Sequence, residues 1–175
     1  MAQPKTSQAE FDAKLAVARD IDWARLAAYV DGEGSILIAR TAVKTGTKRP
    51  QYTLELVVAN TNPLLIQWLC DTFGGIPYFS PPLGGSCKSR MYGVKATKRC
   101  MSWKHFEGRA ASLIEKILPY LIIKQEQAKV ALAYREVRKM GSKGRKLTDE
   151  DIVVRDGLRN QMRALNSGDW VRQEN

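Results

Sequence analysis

Residues 26–36, LAAYVDGEGSI, constrain the fold more than any other stretch. Five apolar residues run into Asp31-Gly32-Glu33-Gly34, and a β-rich segment over residues 35–43 follows at once. A helix is therefore expected to end on two carboxylates just before a strand begins. The C-terminal end of a helix already carries the negative pole of its dipole, so added negative charge there is unfavourable unless something offsets it. In isolation the glycines read as a left-handed cap closing the helix.

The pattern along the chain places this junction in an α+β fold. Asp22 is the expected N-cap of the helix that ends at Asp31-Gly32. Thr45-Gly46-Thr47 reads as a turn, and residues 51–59 alternate, with Leu54, Leu56 and Val58 on one face and Thr53, Glu55 and Val57 on the other. These two strands make a hairpin. Asn62-Pro63 is an N-cap followed by proline at the first helical position, and that helix stops at Gly74-Gly75. The prolines and glycines between Pro77 and Gly85 read as a loop. Strands are expected over 89–96 and 100–106, and helices over 108–118 and 124–140. A basic flexible link, Gly141-Ser142-Lys143-Gly144, then leads to a last helix over 149–166. The order is αββαββα with extra C-terminal helices. It implies a curved four-stranded antiparallel sheet with helices on one face and the other face open to a partner. Residues 1–21 are expected to form a tail or short helix, 22–140 the core and 141–175 a helical extension.

Charge narrows the partner. The 175 residues carry a net charge of +10, and the sequence pI is about 9.7. Such a balance favours a polyanion. No acidic residue occurs from Gly34 to Leu54, where Arg40, Lys44, Lys48 and Arg49 lie. None occurs from Thr72 to Phe106 either, where Lys88, Arg90, Lys95, Lys98, Arg99 and Lys104 lie. Surfaces normally mix the two signs, so the open sheet face is expected to be positive and suited to a duplex groove. No apolar run is long enough to span a bilayer, and the first residues lack the apolar core of a signal peptide. Cys70, Cys87 and Cys100 show no CxxC spacing, which fits a reducing compartment without disulfides or structural zinc. The expected location is the cytoplasm, at the nucleoid, or an organelle.

Leu26-Ala27-Ala28-Tyr29-Val30-Asp31-Gly32-Glu33-Gly34 resembles the signature of the LAGLIDADG homing endonucleases. Pro119 to Ala128 (PYLIIKQEQA) is similar to that family's second recurrent block, and VANTNPLLIQWL to its strand-to-helix corner. The resemblance covers residues 22–134. Only one copy of the signature is present, which in that family implies a homodimer.

The resemblance implies that the signature helices of two subunits pack side by side, with Ala27, Ala28 and Asp31 at the seam. The helix tips would point at DNA, and a divalent cation such as Mg²⁺ would offset their carboxylates. Glu33 would be the metal ligand and the Gly32 carbonyl an additional one. Asp31 has a second reading, hydrogen bonding to backbone at the helix end. Lys124 matches the family's active-site lysine, against an ordinary solvated lysine at a helix start. Asn60 falls where a polar residue orders water, against a turn residue before the Asn62 cap. The implied activity is metal-dependent hydrolysis of both strands of a long, partly palindromic DNA site, serving mobility of an intron or similar element.

Sheet residues would read the DNA. Gln51, Thr53, Glu55 and Val57 are expected outward by phase, with Arg40, Arg90 and Tyr92 as further base readers. Lys44, Lys48, Arg49, Lys88, Lys98 and Arg99 are assigned to the DNA contact surface, mostly to phosphates. The pattern departs from the family in three places: Ala28 replaces glycine, Glu33 replaces aspartate, and Leu64 replaces a basic residue for which Arg109 or Lys104 would substitute. His105 reads as structural or as a DNA-backbone contact, and Trp23, Trp68 and Trp103 as core. Two rival readings use the same features: a non-cleaving or dual-function intron RNA-splicing maturase, with intron RNA as partner, and a basic scaffold of a nucleoprotein complex without sequence preference.

Overall fold

The computed structural model describes residues 6–41, 49–79, 100–140 and 147–167. Helix α1 (Gln8–Val17) precedes α2 (Asp20–Glu33), which hands the chain directly to strand β1 (Gly34–Thr41). Strand β2 (Gln51–Asn60) and helix α3 (Pro63–Phe73) follow. Then come β3 (Pro77–Phe79), β4 (Met101–Phe106), α4 (Glu107–Ile117), a 3-10 turn (Leu118–Tyr120), α5 (Gln125–Met140) and α6 (Asp149–Ser167). The sheet is antiparallel in the order β1-β2-β4-β3.

The expected hairpin is present, with Ile36 opposite Leu56 and Ile38 opposite Leu54. Those four side chains, with Val58 and Trp103, face the helices and are buried, which accounts for the alternation in the sequence. Among the described residues helices cover this face only, and the opposite face is open.

Three expectations change. The signature helix begins at Asp20, not at Asp22. Asp22 stands in its first turn, where its carboxylate accepts the Arg19 backbone N–H at 3.2 Å and the Arg19 guanidinium at 3.1 Å. Pro77–Phe79, read as loop from its proline, is the edge strand beside β4; proline at the first position of an edge strand removes no essential ladder donor. Trp68 is only partly buried, with the Tyr29 ring tilted against it and Phe73 meeting it edge-to-face. The strand expected over 89–96, the turn at 45–47 and the link at 141–144 lie outside the described residues.

Asn62 caps α3 as its sequence implies, its side chain accepting the Leu64 N–H at 3.0 Å. The helix ends at Gly74 and Gly75, both at positive φ (74° and 93°). A Cβ on Gly75 would stand 3.0 Å from His105 Nε2 and 3.2 Å from Trp103 Nε1. Those two rings explain the crowding: the indole N–H donates to Gly74 O at 2.7 Å, and His105 Nε2 lies 3.2 Å from the same oxygen. In the neutral ring, an Nε2–H donating to that carbonyl satisfies both groups.

Burial drops the His105 imidazole from its ordinary 6.5 to about 4. The unfolded chain therefore takes up a proton between those values and the folded chain does not, so stability falls as pH drops from 6.5 toward 4. Urea unfolding at pH 5 is expected to give a free energy lower than at pH 7 by about 2 kcal/mol. His105→Gln should flatten that slope, and an unchanged slope would remove the histidine as its cause.

Candidate active site

Strand β1 starts at the residue after α2 ends, so the tip of α2 is pinned to the end of the sheet. Asn60, at the end of β2, lies at that same end, two residues beyond the Gly34–Val58 pair.

Two reciprocal contacts fix the tip. The Asp31 carboxylate accepts the backbone N–H groups of Ile122 (2.7 Å), Ile123 (3.2 Å) and Lys124 (2.9 Å), in the turn that opens α5. The Lys124 ammonium in return donates to the carbonyl oxygens of Val30, at 2.9 Å, and of Asp31. Each helix end thus receives the charge its dipole favours: a carboxylate at the N-terminal end of α5 and a cation at the C-terminal end of α2. This answers the electrostatic problem posed by residues 31–34, in part from within the chain. Burial lowers the Lys124 pKa, with Asp31 opposing the shift. The glycines supply no left-handed cap; Gly34 is extended at φ −95° and ψ 168°.

Glu33 differs from Asp31. It is exposed and has no hydrogen bond or ion pair to another described residue. Gly32 is also exposed, and its carbonyl lies in the last turn, where no intrahelical N–H remains to meet it. Among the described residues no group of three potential metal-ligating side chains comes together. The tip therefore offers one free carboxylate and backbone oxygens. That hard-oxygen set fits Mg²⁺, which keeps waters and substrate phosphates in its shell, provided further ligands come from outside the chain.

The other expected site residues separate. Asn60 turns inward on its own chain, its Oδ1 accepting the Asn62 N–H at 2.8 Å, while its amide N–H₂ makes no hydrogen bond to a described residue. Ala28 is exposed, as a seam residue should be, but Ala27 is fully buried in the core of its own chain. Ala27 lies on the stripe with Trp23, Leu26 and Val30 and is not available to a second copy. Asp31 is committed to the start of α5. Arg109 cannot replace a basic group at Leu64: it bonds Gln8 Oε1 at 3.0 Å and Thr6 O at 2.9 Å and stacks on Phe11. Lys104 is on the open face, over the Tyr78 ring.

Cross-strand register defines that open face. Ser35, Val57 and Lys104 form one row, Leu37, Glu55 and Phe106 the next, then Ala39 with Thr53 and Thr41 with Gln51. Gln51, Thr53, Glu55 and Val57 therefore point as their phase requires. Arg40 does not. It pairs with Tyr52 on the helix-covered face, where Asp156 of α6 lies 3.3 Å away and the Tyr52 hydroxyl 3.4 Å. Arg49 meets Asp149 at the start of α6, at 2.8 Å. Among the described residues the open face carries only Lys104 and Glu55 as charges. The remaining basic residues assigned to DNA, Lys44, Lys48, Lys88, Arg90, Lys98 and Arg99, lie outside the described residues, as does Tyr92.

Sequence reading missed the apolar surround of the tip. Ile122 and Ile123, whose N–H groups meet Asp31, are 86% and 67% exposed. The signal was available as an apolar pair beside a helix start, Ile122-Ile123, with no buried stripe to join.

No protein-family profile matches the sequence. No curated protein matches it either. Among solved structures, 58 chains match. The homing endonuclease I-CvuI, bound to uncleaved I-CreI target DNA with 2 mM Mg, superposes with a TM-score of 0.62 at 19% identity, over 83% of this chain and 82% of that one. An archaeal intron-encoded homing endonuclease complexed with DNA gives 0.61 at 10% identity, over 83% and 84%. The LAGLIDADG homing endonuclease I-SmaMI, bound to cleaved DNA, gives 0.51 at 16% identity, over 93% of this chain but 51% of that one. The fold is one of DNA-bound homing endonucleases. More narrowly, this chain has the LAGLIDADG homing endonuclease fold.

Proposed function

We propose that the chain is a homodimeric, Mg²⁺-dependent, site-specific DNA endonuclease of homing type. The observation that carries this reading is the tip of α2: a free, exposed Glu33 beside a lysine held on the same helix end, at the end of an open antiparallel sheet. A second copy would supply what one chain lacks. Asp31 is spent on backbone, so a pair of Glu33 carboxylates requires two tips. Ala28 and Gly32 are exposed one helical turn apart, and among the described residues no atom beyond Gly32's own neighbours and helix lies within 4 Å of a Cβ built on it, which leaves a smooth strip for another helix. That one such chain spans about half of I-SmaMI fits the same arrangement.

In this reading Glu33 and the Gly32 carbonyl hold the cation. When bound, Mg²⁺ supplies a water of lowered pKa and offsets charge on the scissile phosphate. Lys124 has three ammonium hydrogens and spends two on the Val30 and Asp31 carbonyls, so one is left for a phosphate oxygen or water. The Asn60 amide N–H₂ serves to orient water. Gln51, Thr53 and Glu55 supply hydrogen-bonding groups to base edges, Val57 apolar contact, and Lys104 a phosphate or base contact.

Incubation with Mg²⁺ and a library of long duplexes tests this. Both strands of one partly palindromic site should be cut, chelation should stop the cutting, and sedimentation should give a two-chain mass. Binding to duplex without cutting under any divalent cation would overturn the enzymatic reading, and a one-chain mass the shared site.

A further inference from the structure

Two exposed apolar features flank the strip that α2 presents at Ala28 and Gly32. On one flank a groove of about 450 Å³ runs between α2 and the start of α3, lined by Arg25, Tyr29, Asn62, Leu64, Leu65 and Trp68. The Tyr29 ring tilts against Trp68, with 5.9 Å between centroids, and Leu64 is 76% exposed. On the other flank lies the turn that opens α5. There Asp31 holds the N–H groups of Ile122 and Ile123, and both isoleucine side chains are exposed. Helix geometry sets the two features apart. Tyr29 projects about 80° to one side of the line through Ala28 and Gly32, and Asp31 about 80° to the other. Tyr29 and Asp31 differ in height along the axis by only about 3 Å, so the groove and the isoleucine pair stand nearly level.

Area decides that the strip alone cannot hold two chains. Helix α2 has 14 residues. It is about 21 Å long and about 10 Å wide, so its strip offers on the order of 200 Å². A stable interface buries about 800 Å² on each partner. Ala28 and Gly32 also lack the large side chains that anchor such contacts. The missing apolar surface is present on both flanks. A pair of Glu33 carboxylates at one phosphate requires two α2 helices that run in the same direction, about a two-fold axis along them. That axis sets the α3 flank of one copy against the α5 flank of the other, never like against like.

We infer that the groove of Tyr29, Leu64 and Trp68 receives Ile122 and Ile123 of a second copy, once on each side of the two-fold axis. The inference rests on the homodimeric reading above and names the side chains that would anchor it. Both surfaces are apolar, so contact removes both from water. The same turn that fixes the tip through Asp31 then also carries the anchor, which ties the position of one Glu33 to that of the other.

Sedimentation equilibrium of the full chain without DNA tests the inference. The wild type should show a two-chain mass. Ile122→Glu carries a charge into the groove and Leu64→Arg puts one on its wall, and each should raise the dissociation constant at least about tenfold. Both positions are exposed in the single chain, so helix content by circular dichroism should not change. Should either variant lose helix content, the other decides by the same measure. The double variant should associate more tightly than either single one. Its new charges meet only across copies, because within one chain they lie on opposite flanks of α2. A two-chain mass with unchanged dissociation constants in the single variants would overturn the inference and leave the homodimer standing. A one-chain mass for the wild type would overturn both. A double variant no tighter than the singles would overturn the pairing of groove with isoleucines. Weaker duplex binding by Ile122→Glu at unchanged self-association would make DNA the occupant, and would overturn it too.

Discussion

Glu33→Gln is expected to lower DNA cleavage at least about a hundredfold while leaving duplex affinity nearly unchanged. The substitution keeps the shape of the side chain and removes its charge. Glu33 is exposed and has no partner among the described residues, so the folded state does not depend on the carboxylate. It also stands at the tip of α2, off the rows of the open sheet face, so the base and phosphate contacts proposed for the strands would persist. In the proposed dimer the cation would lose a charged ligand from each subunit at once, which is why a steep effect on cleavage is expected. Gel-shift titration alongside single-turnover cleavage separates the two quantities. Cutting at the wild-type rate would remove Glu33 from the metal site.

The second large effect is on folding. Gly34→Ala places a Cβ 2.6 Å from Val30 Cα and 2.8 Å from Val30 O, and both atoms are backbone of the preceding helical turn. A side chain could swing aside, but a helix turn cannot. Gly34 also donates its N–H to Val30 O and opens β1 opposite Val58, so neither side of the junction is free to shift. A loss of about 3 kcal/mol or more in chemical denaturation is expected. Gly32→Ala is the internal control. It meets open space and gains helix propensity, so the isolated chain should be as stable or slightly more so. Any loss of pairing or cleavage in that variant then reports on what the tip meets outside the chain.

Much of this architecture was legible in the sequence because local rules and tertiary packing agree. The phase of Leu54, Leu56 and Val58, the Asn62-Pro63 start and the Gly74-Gly75 stop each follow from one residue type in one conformation. The signature helix and its strand were legible for the same reason. Where long-range contacts decide, sequence reading failed or stayed open. Arg40 continues the inward phase of Ile36 and Ile38, and its partner there, Asp156, comes from a distant helix that local phase does not reveal. Ala27 fits a seam between subunits as well as it fits a core, and the stripe with Trp23, Leu26 and Val30 decides for the core. Asp31 finds its partners about ninety residues along the chain, which no local pattern displays. Pro77 signals loop by type, whereas the sheet edge accommodates it as strand.

The exchange of caps between Asp31 and Lys124 has a consequence for how activity can be lost over time. Lys124 holds two helices in register as well as facing the proposed chemistry, so replacing it damages the scaffold along with the reaction. Glu33 serves no such architectural purpose. Under the proposed function, a folded, DNA-retaining but silent descendant of this chain would therefore be one substitution away at Glu33, whereas drift at Lys124 would lead toward an unstable protein that is purged before it can acquire another role.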